Sequence, residues 1–219
     1  MQPFRTHTGT ALPLDRSDVD TDQIVPAEYL KRIERTGFGP FLFAEWRKDP
    51  AFVLNDPRYE GATVLLAGAN FGSGSSREHA VWALEDHGFR VVIAPSFADI
   101  FRTNCTKVGL LPVQLPATTV RALMDAVLAD PAAPLTVDLE ASTVAGAGVG
   151  ASFEIDEFTR WRLLEGLDDI GLTLRHADAV AAYEATRPSW LPATLPIDGI
   201  DDLLAARRAL ANRETELFT

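Results

Sequence analysis

The stretch 63–115 constrains the fold most, because it predicts three buried strands separated by two helices. Three continuous apolar runs, rich in β-branched residues, are typical of strands buried on both faces: 63–67, 90–94 and 110–115. Between them, one helix is expected to begin at Ser75 or Ser76 and run through Glu85, and another spans 97–108. This β-α-β-α-β order predicts parallel pairing, with helices packed on the sheet.

The remainder of the chain predicts smaller elements around this core. Residues 135–144 alternate apolar and polar side chains, and a turn at 146–150 precedes a return strand at 152–155, which indicates an antiparallel hairpin. Three further stretches have helical character: 120–129, 157–167 and 177–186. We therefore predict an α/β fold with a single domain over residues 1–187. A proline-containing C-terminal extension with a short helix is expected over residues 188–219.

Composition excludes several classes of protein. Apolar residues make up 47% of the 219 residues and charged residues 23%, which is typical of a globular chain and not of a disordered one. No run reaches the roughly 18 apolar residues of a membrane span, and the N-terminus lacks a secretory apolar segment. The single cysteine, Cys105, fits a reducing compartment, so a cytoplasmic location is expected. One thiol also cannot hold an iron–sulfur cluster, which needs about three or four.

The net charge of −11 is unevenly distributed along the chain. Residues 1–115 carry 12 Lys/Arg against 14 Asp/Glu, a balance of −2, whereas residues 116–219 carry 8 against 17, a balance of −9. The acidity of the second half argues against nucleic-acid binding there. A small anionic substrate is therefore expected to bind the nearly neutral first half.

The best candidate for chemistry is the segment that follows the first predicted strand of the run, Asn70–His79. It combines glycines, two serine hydroxyls and Arg77 at the start of a predicted helix, where unpaired backbone N–H groups attract anions. The segment lacks the third glycine of a dinucleotide fingerprint, the Gly-Lys-Ser/Thr of a P-loop and the nucleophile elbow G-x-S-x-G. A capping box formed by Ser75 and Glu78 is the alternative without any function.

Three other features have simpler interpretations. The acidic triplet at 18–22 resembles the start of a calcium loop but lacks the glycine and glutamate that such a loop needs, so a solvated acidic turn is favoured. His79 is expected to be a hydrogen-bonded support and not a metal ligand. Cys105 is expected to lie on a helix and to pack against its neighbours as a small apolar side chain.

Several longer segments together resemble one family. Residues 70–80 read NFGSGSSREHA and are followed by VWALEDHGFRVVIAPSFADIFRTN, while 18–30 read DVDTDQIVPAEYL and 161–184 read WRLLEGLDDIGLTLRHADAVAAYE. Over about residues 4–187 the chain resembles the small subunits of 3-isopropylmalate dehydratase, also called isopropylmalate isomerase. That family corresponds to the swivel domain of aconitase. The resemblance implies a swivelling β/β/α fold.

The resemblance also implies a partner and a reaction. In that family a [4Fe–4S] cluster is held by the large subunit, so no metal or cofactor is expected in this chain and a heterodimer is expected. The reaction is that of a hydro-lyase in leucine biosynthesis, in which 2-isopropylmalate is dehydrated to isopropylmaleate and rehydrated to 3-isopropylmalate. A related hydro-lyase acting on citraconate, methylmalate or homoaconitate is an alternative. A non-enzymatic anion-binding module is another.

Site residues follow from the resemblance position by position. Ser75 matches the family's catalytic base, and Asp22 matches an aspartate that lines the aconitase site. Ser76 and Arg77 match residues that bind a substrate carboxylate. Leu30 lies in the loop that meets the variable group of the substrate, and it is expected to contact the isopropyl group.

Overall fold

The computed structural model describes residues 1–31, 34–75 and 77–188. The chain divides into two compact units, Met1–Thr173 and Leu174–Thr219. The predicted domain boundary at residue 187 stays a prediction. The predicted extension over 188–219 lies, except for Pro188, outside the described residues.

The centre of the first unit is a four-stranded parallel sheet in the order β2-β3-β4-β5. Its strands are β2 (Ala11–Leu14), β3 (Val64–Ala67), β4 (Val91–Ala94) and β5 (Leu111–Gln114). Every residue of β2, β3 and β4 is buried. The three predicted parallel strands are therefore confirmed, because continuous apolar runs can be buried on both faces of a sheet.

A second, antiparallel sheet has the order β1-β6-β7-β8. Its strands are β1 (Thr6–Gly9), β6 (Leu135–Asp138), β7 (Thr143–Gly146) and β8 (Val149–Ser152). The prediction of one continuous strand over 135–144 is wrong. The Asp138 carboxylate accepts the Ala141 amide at 2.8 Å and Ser142 has a φ of 54°, so the chain turns there while its apolar alternation continues.

Seven helices lie in the described part of the chain: α1 (Thr21–Ile24), α2 (Glu78–His87), α3 (Asp99–Val108), α4 (Ala117–Ala129), α5 (Glu157–Glu165), α6 (Asp169–Leu174) and α7 (Ala177–Thr186). Helices α2 and α3 both end at a glycine in the left-handed conformation, Gly88 and Gly109, as helix C-termini commonly do. Short 3₁₀ turns occur at Ala27–Lys31, Gly39–Phe41 and Trp46–Lys48. No described helix is long and apolar enough to cross a membrane.

Parallel pairing determines where loops can gather. The carboxyl ends of β3 and β4 lie at the same edge of the sheet, so the loops leading to α2 and α3 are neighbours. Helices α2 and α3 also pack against each other, and α4 packs against β2, β3 and β4. Ligands usually bind at this edge of an open α/β sheet.

Candidate functional site at the start of α2

A glycine-rich loop connects β3 to α2, and three left-handed backbone positions determine its path. Asn70, Gly72 and Gly74 have φ angles of 56°, 79° and 88°. A Cβ atom at Gly72 would lie 2.1 Å from Cγ of Phe101 on α3. Position 72 therefore requires glycine for two independent reasons, the left-handed conformation and the close approach of the ring.

The segment that leads into α1 runs alongside this loop. The amides of Gly72 and Ser73 donate to the Val19 carbonyl at 2.8 and 3.1 Å, and the Thr21 amide donates to the Ser73 carbonyl at 2.9 Å. Asp20 and Ser73 form an isolated parallel β-bridge. Two motifs that are distant in sequence thus form one continuous backbone surface.

The acidic triplet organises that backbone. Asp18 accepts the Asn70 side-chain amide at 2.9 Å. Asp20 caps α1, because its carboxylate accepts the Gln23 amide at 2.8 Å while the Gln23 side chain accepts the Asp20 amide at 3.0 Å. The predicted acidic turn is present, but these two carboxylates bind protein groups and do not only face solvent. No group of three metal-ligating side chains occurs among the described residues.

Asp22 and Arg77 form an ion pair across the two segments. Nη1 of Arg77 donates to Oδ1 of Asp22, and the two side chains are 27% and 52% exposed, with Arg77 the more buried. A guanidinium has five N–H donors, so the groups that do not face Asp22 remain available to a ligand. The structure therefore brings together two of the residues that the sequence singled out.

Ser75 is exposed, and Thr21 holds it from the protein side. The Ser75 carbonyl accepts the Thr21 hydroxyl at 2.7 Å and the Arg77 amide at 2.7 Å. The two hydroxyl oxygens, Oγ1 of Thr21 and Oγ of Ser75, lie 3.2 Å apart. The Ser75 hydroxyl is therefore accessible on a backbone that is held in place.

Helix α2 begins later than predicted. Its N-cap is Arg77, with extended φ and ψ angles and no side-chain cap, and its first residue is Glu78. The capping box of Ser75 and Glu78 is therefore absent, because Glu78 is not at the third helical position that such a box needs. Within the described part of the chain the Arg77 side chain does not cap the first N–H groups of α2, and such groups at a helix start attract anions.

A cavity of about 270 Å³ opens beside these residues. Its lining combines the loop with the start of α3: Thr21, Gly72, Gly74, Arg77, Ala98, Asp99, Ile100 and Phe101. Ile100 is 52% exposed at its rim. Arg77 and Asp99 thus supply charges of opposite sign, and Ala98, Ile100 and Phe101 supply an apolar wall, an arrangement that suits a small polar ligand with a hydrocarbon branch.

Other cavities, of about 460 to 490 Å³, lie around Arg102 and away from the loop. They are larger, but none is lined by Thr21, Gly74 or Arg77. Ser75 and Asp22 are not lining residues of the smaller cavity either, but Ser75 is bonded to Thr21 and Asp22 is paired with Arg77, and both of those residues line it. The smaller cavity is the candidate site because it contains convergent charged and polar groups from three segments.

Two predicted substrate-binding residues are not placed at this cavity. Ser76 lies outside the described residues. Leu30 lies in the Ala27–Lys31 turn, half-buried against the core, and does not belong to the residues that line the cavity. The neighbouring Tyr29 ring stacks on Phe41 with centroids 4.2 Å apart. The predicted roles of Ser76 and Leu30 stay predictions.

His79 on α2 and Cys105 on α3 are two further residues that the sequence singled out. The His79 ring packs edge-on against Phe38, at 5.2 Å between centroids, and next to Trp82. Its Nδ1 is buried without a hydrogen-bond partner among the described residues, and the predicted role of His79 as a hydrogen-bonded support stays a prediction. Burial lowers the pKa of His79. Burial also raises the pKa of the Cys105 thiol well above its usual value, as expected for a packing residue.

Sequence reasoning missed the residues that hold the loop. Thr21 is 2% exposed and is one of two buried polar residues of the described chain, and its only signal was its place between two aspartates. The Asp20 cap could have been found from the spacing of aspartate and glutamine. Ser96 accepts the Asn70 amide at 2.8 Å through its hydroxyl, and its signal was its place after the next parallel strand.

Comparison with known families agrees with this architecture. A model of the aconitase C-terminal domain matches residues 1–118, more than half of the chain. A model of the C-terminal domain of the 3-isopropylmalate dehydratase small subunit matches residues 169–197, and one named LeuD_N matches residues 121–157. Fold and site thus define a protein of the aconitase C-terminal-domain class.

Individual relatives define the family within that class. A 3-isopropylmalate dehydratase small subunit from Parafrankia sp. is 66% identical over 89% of this chain and 100% of the relative. One from Acidothermus cellulolyticus is 65% identical over 89% of this chain and 98% of the relative. The crystal structure of a 3-isopropylmalate dehydratase from Methanocaldococcus jannaschii has a TM-score of 0.62 at 26% identity, covering 82% of this chain and 99% of that one. The chain belongs to the 3-isopropylmalate dehydratase small-subunit family, which confirms the predicted resemblance and fold class.

Proposed function

We propose that this chain is the small subunit of an isopropylmalate isomerase in leucine biosynthesis, active when assembled with a large subunit in the cytoplasm. The observation that carries the proposal is that Thr21 and Arg77 line one cavity, while the exposed Ser75 is bonded to Thr21 and Asp22 is paired with Arg77. The Arg77 guanidinium suits a carboxylate of isopropylmalate, and the apolar lining residues suit the hydrocarbon part of the substrate. The names of the relatives support the same reaction.

Ser75 acts as the catalytic base in this proposal. Its Oγ, as an alkoxide, takes the proton from the carbon next to the one that bears the hydroxyl. The electron pair of that C–H bond forms the C=C bond of isopropylmaleate as the hydroxyl departs. Rehydration delivers the proton to the carbon that had carried the hydroxyl, and a hydroxyl to the carbon that had lost its proton. A serine hydroxyl is a weak base in water, but the charge of Arg77 and the free N–H groups of α2 favour its ionised form.

Arg77 binds a substrate carboxylate through its planar array of donors, and Ser76 adds a hydroxyl to the same carboxylate. Asp22 holds the guanidinium in the orientation that presents its remaining N–H groups. Leu30 contacts the isopropyl group and contributes to selectivity. A buried isopropyl group contributes only about 2 kcal/mol, so selectivity against smaller branches is expected to be moderate.

The leaving hydroxyl needs a Lewis acid that this chain does not supply. The sequence contains one cysteine, whose buried thiol has a raised pKa, and the described residues offer no cluster of metal-ligating side chains. These residues do not fit a [4Fe–4S] cluster, so the large subunit is the expected source of the iron that polarises the hydroxyl.

The decisive experiment is co-expression with the large subunit encoded by the same organism, followed by an isomerase assay. Conversion of 2-isopropylmalate with a higher kcat/KM than conversion of citraconate or homoaconitate is expected. Preference for either alternative substrate would contradict the assignment in favour of a related hydro-lyase.

A Ser75→Ala variant tests the chemical role in the same assay. We expect a loss of about 10²–10⁴-fold in kcat with assembly intact, because a positioned base contributes that much. A simple anion-binding module would bind substrate unchanged and show no turnover in either form. Activity of Ser75→Ala close to that of the wild-type complex would contradict the role of Ser75.

A further inference from the structure

We propose that Thr21 is a positioning residue for Ser75, an inference that rests on the proposed function. Thr21 is 2% exposed, although it carries a hydroxyl and lies beside an open cavity. Its Oγ1 is 2.7 Å from the Ser75 carbonyl oxygen and 3.2 Å from Ser75 Oγ. One buried hydroxyl therefore contacts both the main chain and the reacting side chain of the proposed base.

The available protons determine the direction of these two bonds. Thr21 has one hydroxyl proton, and the Ser75 carbonyl can only accept, so the 2.7 Å contact takes that proton. In the 3.2 Å contact Thr21 Oγ1 is then the acceptor, and the Ser75 hydroxyl donates. When Ser75 is ionised, the Thr21 hydroxyl can rotate and donate its proton to the alkoxide. Thr21 therefore contacts Ser75 in both protonation states.

Thr21 is itself held rigidly, which a positioning residue requires. Its amide donates to the Ser73 carbonyl at 2.9 Å and its carbonyl accepts the Val25 amide at 2.9 Å. A β-branched side chain also has few χ1 rotamers, so a fixed main chain means a fixed hydroxyl. Thr21 thus connects the glycine-rich loop to a fully hydrogen-bonded turn.

Glycine at position 74 lets the loop pass close to the start of α1. A Cβ at Gly74 would lie 3.2 Å from Asp20 Cβ, a tight contact, and its φ of 88° disfavours other residues. The backbone just before Ser75 is therefore held next to the Asp20–Thr21 segment. An exposed serine without such a contact would sample many positions, and a 1 Å displacement of a catalytic group costs about 100-fold in rate.

The test compares Thr21→Val with Thr21→Ser in the complex with the large subunit. Valine keeps the shape and removes the hydroxyl, whereas serine keeps the hydroxyl. We expect Thr21→Val to lower kcat about 10–100-fold with KM within about twofold of wild type, and Thr21→Ser to restore kcat to within about threefold. A role in packing alone would give the opposite order, because serine loses the buried methyl group.

Thr8→Val is the matched control. It removes a hydroxyl–hydroxyl contact of 2.9 Å to Thr136 in the antiparallel sheet, where it is exposed. Its kcat and KM are expected to equal those of wild type. If Thr21→Val does not assemble with the large subunit, Thr21→Cys, which keeps the volume without a strong donor, takes its place under the same limits.

The outcomes separate the two proposals. A wild-type complex that does not convert 2-isopropylmalate overturns the proposed function. An active wild-type complex with Thr21→Val, or its Thr21→Cys replacement, within about twofold in kcat overturns the role of Thr21 alone. Loss of kcat in Thr21→Ser as large as that in Thr21→Val also overturns it.

Discussion

Two junctions, one from β3 to α2 and one from β4 to α3, have the same strand–helix scaffold but loops of different length and composition. Each consists of a four-residue buried strand followed by a ten-residue helix that ends at a left-handed glycine. The first junction places residues 68–77 between strand and helix, with a cationic N-cap. The second needs only residues 95–98. The strand and helix therefore supply a common support, and the longer loop contains the residues proposed for the chemistry.

The second junction also supports the first. The Ser96 hydroxyl accepts the Asn70 amide, the Ser96 carbonyl accepts the Phe71 amide at 3.1 Å, and the Ala98 amide donates to the Phe71 carbonyl at 3.0 Å. Phe101 covers Gly72 from the start of α3. The short loop thus supports the long loop through these hydrogen bonds.

Gly72→Ala should disrupt this arrangement most. The new Cβ would clash with the Phe101 ring in a left-handed conformation, so we expect a loss of roughly 3 kcal/mol in unfolding free energy and a large loss of isomerase activity. Gly148→Ala is the control, because Gly148 has a φ of 75° with no atom near the added Cβ, and it should cost about 1 kcal/mol. Equal denaturation midpoints for the two variants would show that the contact with Phe101 is unimportant.

Arg77→Lys should have the second-largest effect, which is weaker substrate binding. A lysine supplies a point charge in place of a planar array of donors, so KM for 2-isopropylmalate should rise about 10-fold. Arg102→Lys, on the helix of the second junction, should leave KM unchanged. Steady-state kinetics of the assembled complex measure both, and an unchanged KM for Arg77→Lys would remove Arg77 from the binding site.

Ser96→Ala should have a smaller effect that reports on the support between junctions. It leaves the main-chain amide of Asn70 without its acceptor, which costs about 1 kcal/mol of stability and lowers kcat a few-fold. Ser17→Ala removes the acceptor of the Ala69 amide, at 3.2 Å, on the other side of the same loop. If only Ser17→Ala changes kcat, the supporting role belongs to the segment after β2 and not to the second junction.

The smallest predicted effect is a difference in acid sensitivity between helices α2 and α3. Partial desolvation lowers the pKa of both His79 and His87 on α2, whereas α3 contains no histidine. Desolvation raises the pKa of Glu85 on α2, which acts in the opposite direction. Because the unfolded histidines bind protons at higher pH than the folded ones, stability is complete above about pH 6.5 and is lost as the pH falls toward the lowered values. Hydrogen exchange at about pH 7.5 and about pH 5.5, corrected for intrinsic rates, should show α2 losing protection before α3. Equal loss in both helices would contradict this.

Much of the fold could be predicted because apolar periodicity acts locally. The parallel strands at 63–67 and 90–94 and the helix at 97–108 were identifiable from continuous or periodic apolar runs. The split of 135–144 into β6 and β7 was not, because a turn stabilised by Asp138 preserves the alternation of burial on both sides. The start of α2 was also misplaced, since serine is a common helix cap and nothing local excluded it.

The candidate site divides in the same way. Ser75, Arg77 and Asp22 could be singled out from the residue types that anion binding requires, together with the family resemblance. The acceptor of Arg77, the contact of Thr21 with Ser75 and the apolar wall at Ile100 could not, because each joins segments that are distant in sequence.

The sequence by itself determined which segments become buried strands, where glycine permits a left-handed turn, and which loop contains the residues proposed as reactive. Only the tertiary structure decided that Asp22 forms an ion pair with Arg77, that the Thr21 hydroxyl contacts Ser75, and that the start of α3 lines the cavity. The physical reason is that burial and backbone conformation depend on neighbouring residues. The directions of hydrogen bonds and ion pairs across a site depend instead on how whole strands pair, and parallel pairing brings distant loops to one edge.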